Sequence, residues 1–253
     1  MMNGKEWIHE NETLEDLQLN GLKLLQKKDG FRFGMDSVLL AHFASIRPDE
    51  TVADFGTGSG IIPLLLIGRG KGKHFFCIEI QKELAEMADR TVRINSLEER
   101  MEIICGDVAD TELWLPSCSV DSVVCNPPYG IPGKVLASPN ETRAISRSQQ
   151  ENALDRFFHS AFRILKGKGR IFLVYPASQM FSMMIQLRKN HLEPKRFRLV
   201  YPYINRPANL VLLEAVKDAR PTLHPLPPLI IYEDNQILTN ELKSVYHIKQ
   251  NPV

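Results

Sequence analysis

The sequence predicts an α/β fold in which a seven-stranded, mostly parallel sheet carries helices on both faces. Short apolar runs alternate with longer runs of helical periodicity, an arrangement typical of parallel strands joined by right-handed crossovers. We expect the strands at residues 51–55, 74–80, 101–104, 120–125, 170–176, 195–201 and 209–216. We expect the intervening helices near residues 60–68, 82–96, 148–166 and 178–190. Only a turn at residues 202–208 separates the last two strands, which predicts an antiparallel hairpin at the sheet edge.

The chain before the first of these strands predicts less regular structure. Residues 1–20 are rich in acidic side chains and are expected to be a partly ordered lead-in, followed by a short strand at residues 22–26. A helix is expected from Asp36 to Phe43, with Asp36 or Ser37 as its N-cap. The predicted units are 1–48 for the lead-in and helix, 49–219 for the sheet domain, and 220–253 for a proline-rich extension packed on that domain.

The composition is that of an ordinary globular protein. Of its 253 residues, 43% are hydrophobic, and the formal net charge is +1. The chain is long enough to bury a large core as one domain with a small appendage. A charge this close to neutral argues against dense, non-specific coating of DNA. It leaves room for an RNA held by a local basic patch.

The cysteine and histidine patterns indicate no metal or disulfide chemistry. The four cysteines contain no Cys-x-x-Cys pair, which favours buried, reduced thiols in a cytosolic protein. The seven histidines show no zinc-binding spacing, so no metal is predicted. No apolar run approaches the length of a membrane span. We therefore expect a soluble, cytoplasmic protein with no obligate protein partner.

The predicted helix over residues 148–166 carries several phenylalanines. Phe157, Phe158 and Phe162 recur with Leu154 and Ala161 at helical spacing along one face. This periodicity favours packing in the core over a surface on which nucleic-acid bases stack.

Asp54 to Gly60 forms a glycine-rich turn between the first predicted strand and an apolar helix. Gly56, Gly58 and Gly60 allow positive φ angles and a close approach of the backbone to a ligand. A dinucleotide-binding turn would need a glycine where Ile61 stands, and a P-loop would need a following Gly-Lys-Ser/Thr. A pyrophosphate or triphosphate cradle is therefore disfavoured.

Acidic residues stand at the ends of the next two predicted strands. Glu79 ends the second strand, where an acid suits the paired hydroxyls of a ribose, and Asp107 follows the third. Taken alone, either could be an ordinary solvent-facing acid. Because the carboxyl ends of parallel strands meet at one edge of a sheet, these acids and Gly56 together predict a ligand site there.

The fourth predicted strand runs into Asn126-Pro127-Pro128-Tyr129. Each proline forces the residue before it out of the α region, so the segment stays extended. Neither proline has an N–H group, so the backbone here offers mainly carbonyl acceptors. With the amide of Asn126 and the ring of Tyr129, the segment is a rigid rim suited to a flat group that carries an NH₂.

These motifs, in this order, resemble motifs I to IV of the class I S-adenosylmethionine-dependent methyltransferases, which have a Rossmann-like fold. The stretch from Phe31 to Leu40 and the pair Arg206-Pro207 are similar to the bacterial tRNA adenine-N6 methyltransferase family, which modifies the adenine beside the anticodon of a valine tRNA. The resemblance covers nearly the whole chain. Its motifs are specific for the enzyme class and less so for the substrate. It implies S-adenosyl-L-methionine as cofactor and tRNA as substrate.

The resemblance also implies roles for individual residues. Catalytic roles fall to Asn126, Pro127, Pro128 and Tyr129. Cofactor-binding roles fall to Asp54, Gly56, Thr57, Gly58, Gly60, Glu79, Ile80, Asp107, Val108 and Asn126. In the expected mechanism the Asn126 oxygen and the Pro127 carbonyl accept the two N–H bonds of the target nitrogen while Tyr129 stacks on the base.

Other substrates stay open. A glutamine amide of a release factor would suit the same rim, although that family usually places a helical domain before its glycine motif and the residues before Thr51 leave little room. Ribosomal RNA or DNA adenine are further alternatives, and a non-catalytic cofactor-binding scaffold is the alternative of a different class. An RNA could be held by the loop 130–150 or by the basic stretch 188–198 near Arg206, although such charges are usually only solvated.

Overall fold

The computed structural model describes residues 7–29, 34–127 and 154–246. The strands in these ranges are β1 (Glu12–Asp16), β2 (Lys23–Lys27), β3 (Thr51–Phe55), β4 (His74–Glu79), β5 (Met101–Cys105), β6 (Val120–Cys125), β7 (Leu165–Pro176), β8 (Leu192–Tyr201), β9 (Leu210–Lys217), β10 (His224–Pro225) and β11 (Leu229–Ile230). The α-helices are α1 (Met35–Phe43), α2 (Ile61–Gly68), α3 (Lys82–Ile94), α4 (154–164), α5 (Met180–Lys189) and α6 (Asn240–Val245). None of these helices is both long and apolar enough to cross a membrane.

A mixed sheet forms the centre of the molecule and confirms the predicted fold class. Strands β5, β4, β3, β6 and β7 lie parallel in that order, and β9 lies antiparallel between β7 and β8. The sheet has nine strands where seven were predicted, because β10 and β11 pair with the outer side of β8. The predicted antiparallel hairpin of β8 and β9 is present, but it is not outermost.

Alternate residues of the central strands enter two apolar cores, one on each face of the sheet. Val52 and Phe172 belong to the core that includes α1 and α2. Their chain neighbours Ala53 and Ile171 belong to the core that includes α4 and α5. Phe158 of α4 is fully buried in this second core, so the prediction that this helix buries its aromatic face is confirmed.

The N-terminal segment is more ordered than the sequence suggested. Strands β1 and β2 form an antiparallel hairpin that packs on α3. Glu12 is buried there, and both of its carboxylate oxygens accept hydrogen bonds of 2.6 Å from the guanidinium of Arg90 in α3. The sequence did not predict β1, whereas the short strand predicted at residues 22–26 is present as β2.

Helix α1 begins one residue earlier than predicted. Its first residue is Met35 and its N-cap is Gly34, so neither Asp36 nor Ser37 is the cap. At the other end, the ammonium group of Lys71 donates to the carbonyl oxygens of Ala41 and Ala44 at 2.9 and 2.6 Å. A cation at this position satisfies carbonyl groups that the last turn of a helix leaves unpaired.

Candidate active site

The sheet brings the predicted site residues to one edge. Phe55 at the end of β3 is in register with Ile78 of β4 and with Cys125 of β6, and Glu79 is in register with Cys105 of β5. Because these strands are parallel, the segments that follow them leave the sheet at the same edge. The predicted convergence of the four motifs is therefore present as far as the chain is described.

The glycine turn is held against the neighbouring strand. The backbone N–H groups of Gly56 and Thr57 both donate to the carbonyl oxygen of Ile78, at 2.9 and 3.0 Å. Gly56, Gly58 and Gly60 have φ angles of 74°, 59° and 86°, in the left-handed region that disfavours any residue with a Cβ atom. No atom lies within 4 Å of where a Cβ would stand on Gly56 or Gly58. The turn therefore leaves open space beside its backbone.

Asp54 lies beneath this turn and is fully buried. The hydroxyl of Thr57 donates to one of its carboxylate oxygens at 2.6 Å. The other oxygen has no hydrogen-bond partner among the residues that the structure describes. Burial raises the pKa of Asp54 to about 7; the bond from Thr57 opposes this rise, and the nearby charge of Glu79 adds to it. A buried acid with one orphaned oxygen is a feature expected at a ligand site.

Glu79 joins the end of β4 to the glycine turn. One carboxylate oxygen accepts from the backbone N–H of Gly58 and the other from that of Gln81, both at 2.9 Å. Its side chain is only 4% exposed, whereas Ile80, the next residue, is 64% exposed. An acid fixed beside a solvent-facing apolar side chain suits a ligand with both hydroxyl groups and a flat apolar part.

Asp107 lies at the end of β5, as predicted, and already has two partners. One of its oxygens accepts from the backbone N–H of Ala109 at 2.9 Å, and the other from the guanidinium of Arg156 in α4 at 3.0 Å. Val108 beside it is buried. Nothing in the sequence pointed to Arg156, because its contact depends on how α4 packs against the sheet.

Gly106 precedes this acid for a steric reason that the sequence did not show. A Cβ atom built on Gly106 would lie 2.1 Å from Cη2 of Trp114, which is far inside contact distance. The indole ring therefore covers the backbone at the end of β5, and a larger residue there would require the ring to move.

The catalytic motif is described only in its first half. Asn126 follows directly after β6 and is partly exposed, and Pro127 is buried. Pro128, Tyr129 and the loop 130–150 lie outside the described residues, as do Phe31 to Phe33. The roles predicted for Pro128 and Tyr129 therefore stay predictions.

The basic stretch near the end of the sheet consists mainly of structural ion pairs. Arg196 pairs with Glu214, and Arg198 pairs with Glu241 at 2.7 Å. Arg206 differs from them, because it is exposed and none of the ion pairs or hydrogen bonds found in the described ranges involves its side chain. Within those ranges, no three His, Cys, Asp or Glu side chains are grouped so that they could hold a metal ion.

A family model, the methyltransferase small domain, matches residues 33–193. The chain belongs to the methyltransferase small domain family. The matched range includes the glycine turn, Glu79, Asp107 and Asn126, so all four motifs fall within this domain.

Curated relatives place the chain more narrowly. It is 31% identical over 188 residues to the tRNA1(Val) (adenine(37)-N6)-methyltransferase of Erwinia tasmaniensis, covering 72% of this chain and 74% of that protein. It is 27% identical over 189 residues to the protein of the same name from Parabacteroides distasonis, covering 74% and 77%. The match to that of Tolumonas auensis is 26% identical over 155 residues, and spans 61% of this chain and 63% of the relative. At this similarity the chain belongs to the family of these relatives.

Solved structures confirm the fold. A predicted O-methyltransferase from Agrobacterium tumefaciens superposes with a TM-score of 0.68 at 22% identity, covering 84% of this chain and 96% of that one. TYW2 from M. jannaschii, whose structure is a complex with AdoMet, superposes with a TM-score of 0.55 at 17% identity, covering 82% and 86%. At these identities the likeness shows that the methyltransferase fold is shared.

Proposed function

We propose that this protein is an S-adenosylmethionine-dependent methyltransferase that modifies N6 of an adenine in tRNA, at the position beside the anticodon of a valine tRNA. The observation that carries the proposal is the convergence of the glycine turn, Glu79, Asp107 and Asn126 at one edge of the sheet. Membership of the small-domain family and the printed names of the relatives support it. The enzyme would act in the cytoplasm, with tRNA as its partner and without a metal.

The described residues fit the cofactor. The open space beside Gly56 and Gly58 and the orphaned oxygen of Asp54 leave room and bonding capacity for a ligand with a charged amino group. Glu79 is fixed by two backbone N–H groups, so its remaining lone pairs could accept from ribose hydroxyls. When bound, S-adenosylmethionine supplies a methyl group already activated on a sulfonium.

The adenine half of the cofactor has its own candidate partners. Asp107 would accept from the adenine amino group, and the exposed side chain of Ile80 and buried Val108 would flank the ring. The guanidinium of Arg156 now holds one Asp107 oxygen, so cofactor binding would share or replace that contact.

Asn126 and Pro127 would act on the substrate nitrogen. The amide oxygen of Asn126 and the carbonyl oxygen of Pro127 accept the two N–H bonds of the exocyclic amine, which reduces the delocalisation of its lone pair into the ring. Holding that nitrogen in line with the methyl group supplies the positioning component of catalysis. Tyr129 would stack on the base, a contact typically worth about 1–3 kcal/mol. An adenine in a tRNA loop is easily displaced from its stack, which suits this geometry.

Transfer of tritiated methyl groups tests the proposal. Purified enzyme is incubated with labelled S-adenosylmethionine and total bacterial tRNA, and the RNA is digested for nucleoside analysis. We expect N6-methyladenosine from the wild type and at least about a 100-fold loss in Asn126→Ala, the size of effect seen when one oriented polar group is removed. Calorimetry of Asn126→Ala measures how much of this loss comes from weaker cofactor binding, because Asn126 is also among the expected cofactor-binding residues. A parallel incubation replaces the tRNA with bacterial protein, and label in that protein with none in RNA would replace the adenine proposal with the glutamine alternative.

A further inference from the structure

We propose that the turn between β8 and β9, together with the chain just after β11, forms a second nucleotide-binding subsite for an unpaired base in the same loop as the methylated adenine. The subsite is defined by Tyr203, Arg206, Tyr232, Glu233 and Asp234, which line one cavity. The inference rests on the proposed function, because the strand that enters this cavity is the RNA whose adenine reaches Asn126.

The strand directions place this cavity on the same edge of the sheet as Asn126. β7 is parallel to β6, and β9 is antiparallel to β7 and to β8, so β8 runs in the direction of β6. β11 is parallel to β8 and pairs Ile230 with Tyr201. The residues that follow β8 and β11 therefore emerge at the edge where the residues that follow β6 emerge.

The cavity has the size and the aromatic surface that a base requires. Its volume is about 640 Å³, within the range of roughly 300–1,000 Å³ that is common for small-molecule sites. The rings of Tyr203 and Tyr232 lie 5.5 Å apart, centroid to centroid, with a tilt of 34°. The backbone N–H of Tyr232 donates to the carbonyl oxygen of Pro202 at 3.0 Å, which fixes the two segments together. Both tyrosines line the cavity and are partly exposed.

Charge assigns the parts of a nucleotide to the parts of the cavity. Glu233 and Asp234 are exposed acids that disfavour a phosphate group in the cavity, but their oxygens can accept from the N–H groups of a base edge. Arg206 is the cation of the rim and, within the described ranges, is not committed to any of the ion pairs found. In the proposed arrangement the base lies between the tyrosines and the acids, whose oxygens accept from its N–H groups. The negatively charged phosphate of the same nucleotide contacts the positively charged Arg206.

Distance separates this subsite from the one that holds the target adenine. Three strand spacings separate β6 from β8, which is about 14 Å at roughly 4.8 Å per spacing. Four stacked nucleotides span about this distance, at roughly 3.4 Å each. Fewer nucleotides are needed when the strand is extended and its bases are not stacked. The subsite therefore suits a base in the same loop as the target and not the target base itself.

A double-mutant cycle between protein and RNA tests the subsite. The RNAs are anticodon stem-loops of a valine tRNA, each with one abasic nucleotide at a different loop position. Binding is measured by fluorescence anisotropy for the wild type, Tyr203→Phe and Tyr203→Ala. We expect that removing the base at one loop position other than the target lowers the affinity of the wild type and of Tyr203→Phe for the RNA at least about 5-fold. Tyr203→Ala should bind that abasic RNA and the intact RNA equally well. Equal abasic penalties in the wild type and Tyr203→Ala would overturn the proposal.

A second pair of variants tests the phosphate contact without touching the core. Arg206→Ala should lower the slope of log affinity against log salt by about 1. Lys73→Ala is the matched control, because this exposed lysine directly precedes β4, at the opposite edge of the sheet, and should leave the slope unchanged. Equal slopes for Arg206→Ala and the wild type would remove Arg206 from the subsite.

The outcomes separate the two proposals. If the wild type methylates tRNA while the abasic penalties do not depend on Tyr203, the subsite is wrong and the proposed function stands. If the wild type methylates no RNA, the proposed function fails. In that case equal affinities of the wild type and Tyr203→Ala for total tRNA in a filter-binding assay would overturn the subsite as well.

Discussion

Two halves of the same sheet edge differ in how their polar groups are held. The cofactor half is formed by the ends of β3, β4 and β5. There the carboxylates of Glu79 and Asp107 are fixed by hydrogen bonds from backbone N–H groups. In the substrate half, formed by the ends of β6, β7 and β8, the turn after β8 instead presents Arg206 and a 74% exposed Ile204 to solvent. The first arrangement is preorganised for one small ligand. The second offers an open surface to a large one.

The largest effect expected from this difference is on cofactor affinity. Glu79→Ala should raise the Kd for S-adenosylmethionine by at least about 100-fold, because about two hydrogen bonds to a charged acceptor are lost at roughly 1.5–3 kcal/mol each. Arg206→Ala should leave that Kd unchanged. Calorimetric titration measures both, with Glu98→Ala as a control at an exposed acid before β5. A comparable loss in Arg206→Ala would mean that the two halves are not separate.

Asp54, in the cofactor half, should make the free energy of unfolding depend on pH. Its pKa is about 7 in the folded protein and 3.8 for an ordinary aspartate, so between these values the folded state holds a proton that the unfolded chain has released. This contribution to stability is therefore full below pH 3.8, falls as pH rises, and is lost above about pH 7. Relative to Asp54→Asn, the wild type should lose roughly 2–3 kcal/mol of unfolding free energy between pH 5 and pH 7.

Urea unfolding of the two proteins at a series of pH values, without cofactor, measures this difference. Asp49→Asn is the control, because it removes a largely exposed acid and leaves Asp54 in place. A difference between wild type and Asp54→Asn that stays constant from pH 5 to pH 8 would show that Asp54 titrates normally.

Gly106→Ala should destabilise the cofactor half of the sheet edge at the end of β5. The new methyl group would stand 2.1 Å from Trp114 and would force its ring to move. Overpacking of this kind typically lowers the unfolding free energy by about 1–3 kcal/mol. Gly167→Ala is the matched control, because no atom lies within 4 Å of where its Cβ would stand. Thermal unfolding compares the two, and equal melting temperatures would contradict the prediction.

The smallest effect is expected at Arg156. Its ion pair with Asp107 is largely exposed, so Arg156→Ala should change stability by less than about 1 kcal/mol. If Asp107 must exchange this partner for the cofactor, the variant should bind S-adenosylmethionine somewhat more tightly, by up to about 5-fold. Arg93→Ala, which breaks an exposed pair with Asp89 within α3, serves as control. Weaker cofactor binding in Arg156→Ala would instead make this arginine part of the site.

The sequence predicted the parts of the structure that depend on local pattern. The sequence predicted β3 to β9, because their apolar runs alternate with runs of clear helical periodicity. The motif residues follow the ends of four of these strands. β2 was predicted, but β1 and its pairing with β2 were missed, because Glu12 is held by Arg90, 78 residues away. The contacts of Asp107 with Arg156 and of Gly106 with Trp114 were missed for the same reason. Each depends on the packing of an element against the sheet, which no local pattern encodes.

The proline-rich chain after β9 also determines where the sheet stops growing. β10 and β11 cover β8 on its outer side, and between them the guanidinium of Arg198 donates to the carbonyl oxygens of Pro227 and Pro228 at 2.8 and 3.3 Å. An exposed strand edge is a template on which another chain can aggregate. Here the covering segment is itself rich in proline, which has no N–H group to donate to a further strand. The segment that supplies Tyr232 to the cavity thus also protects the β8 side of the sheet against edge-to-edge association.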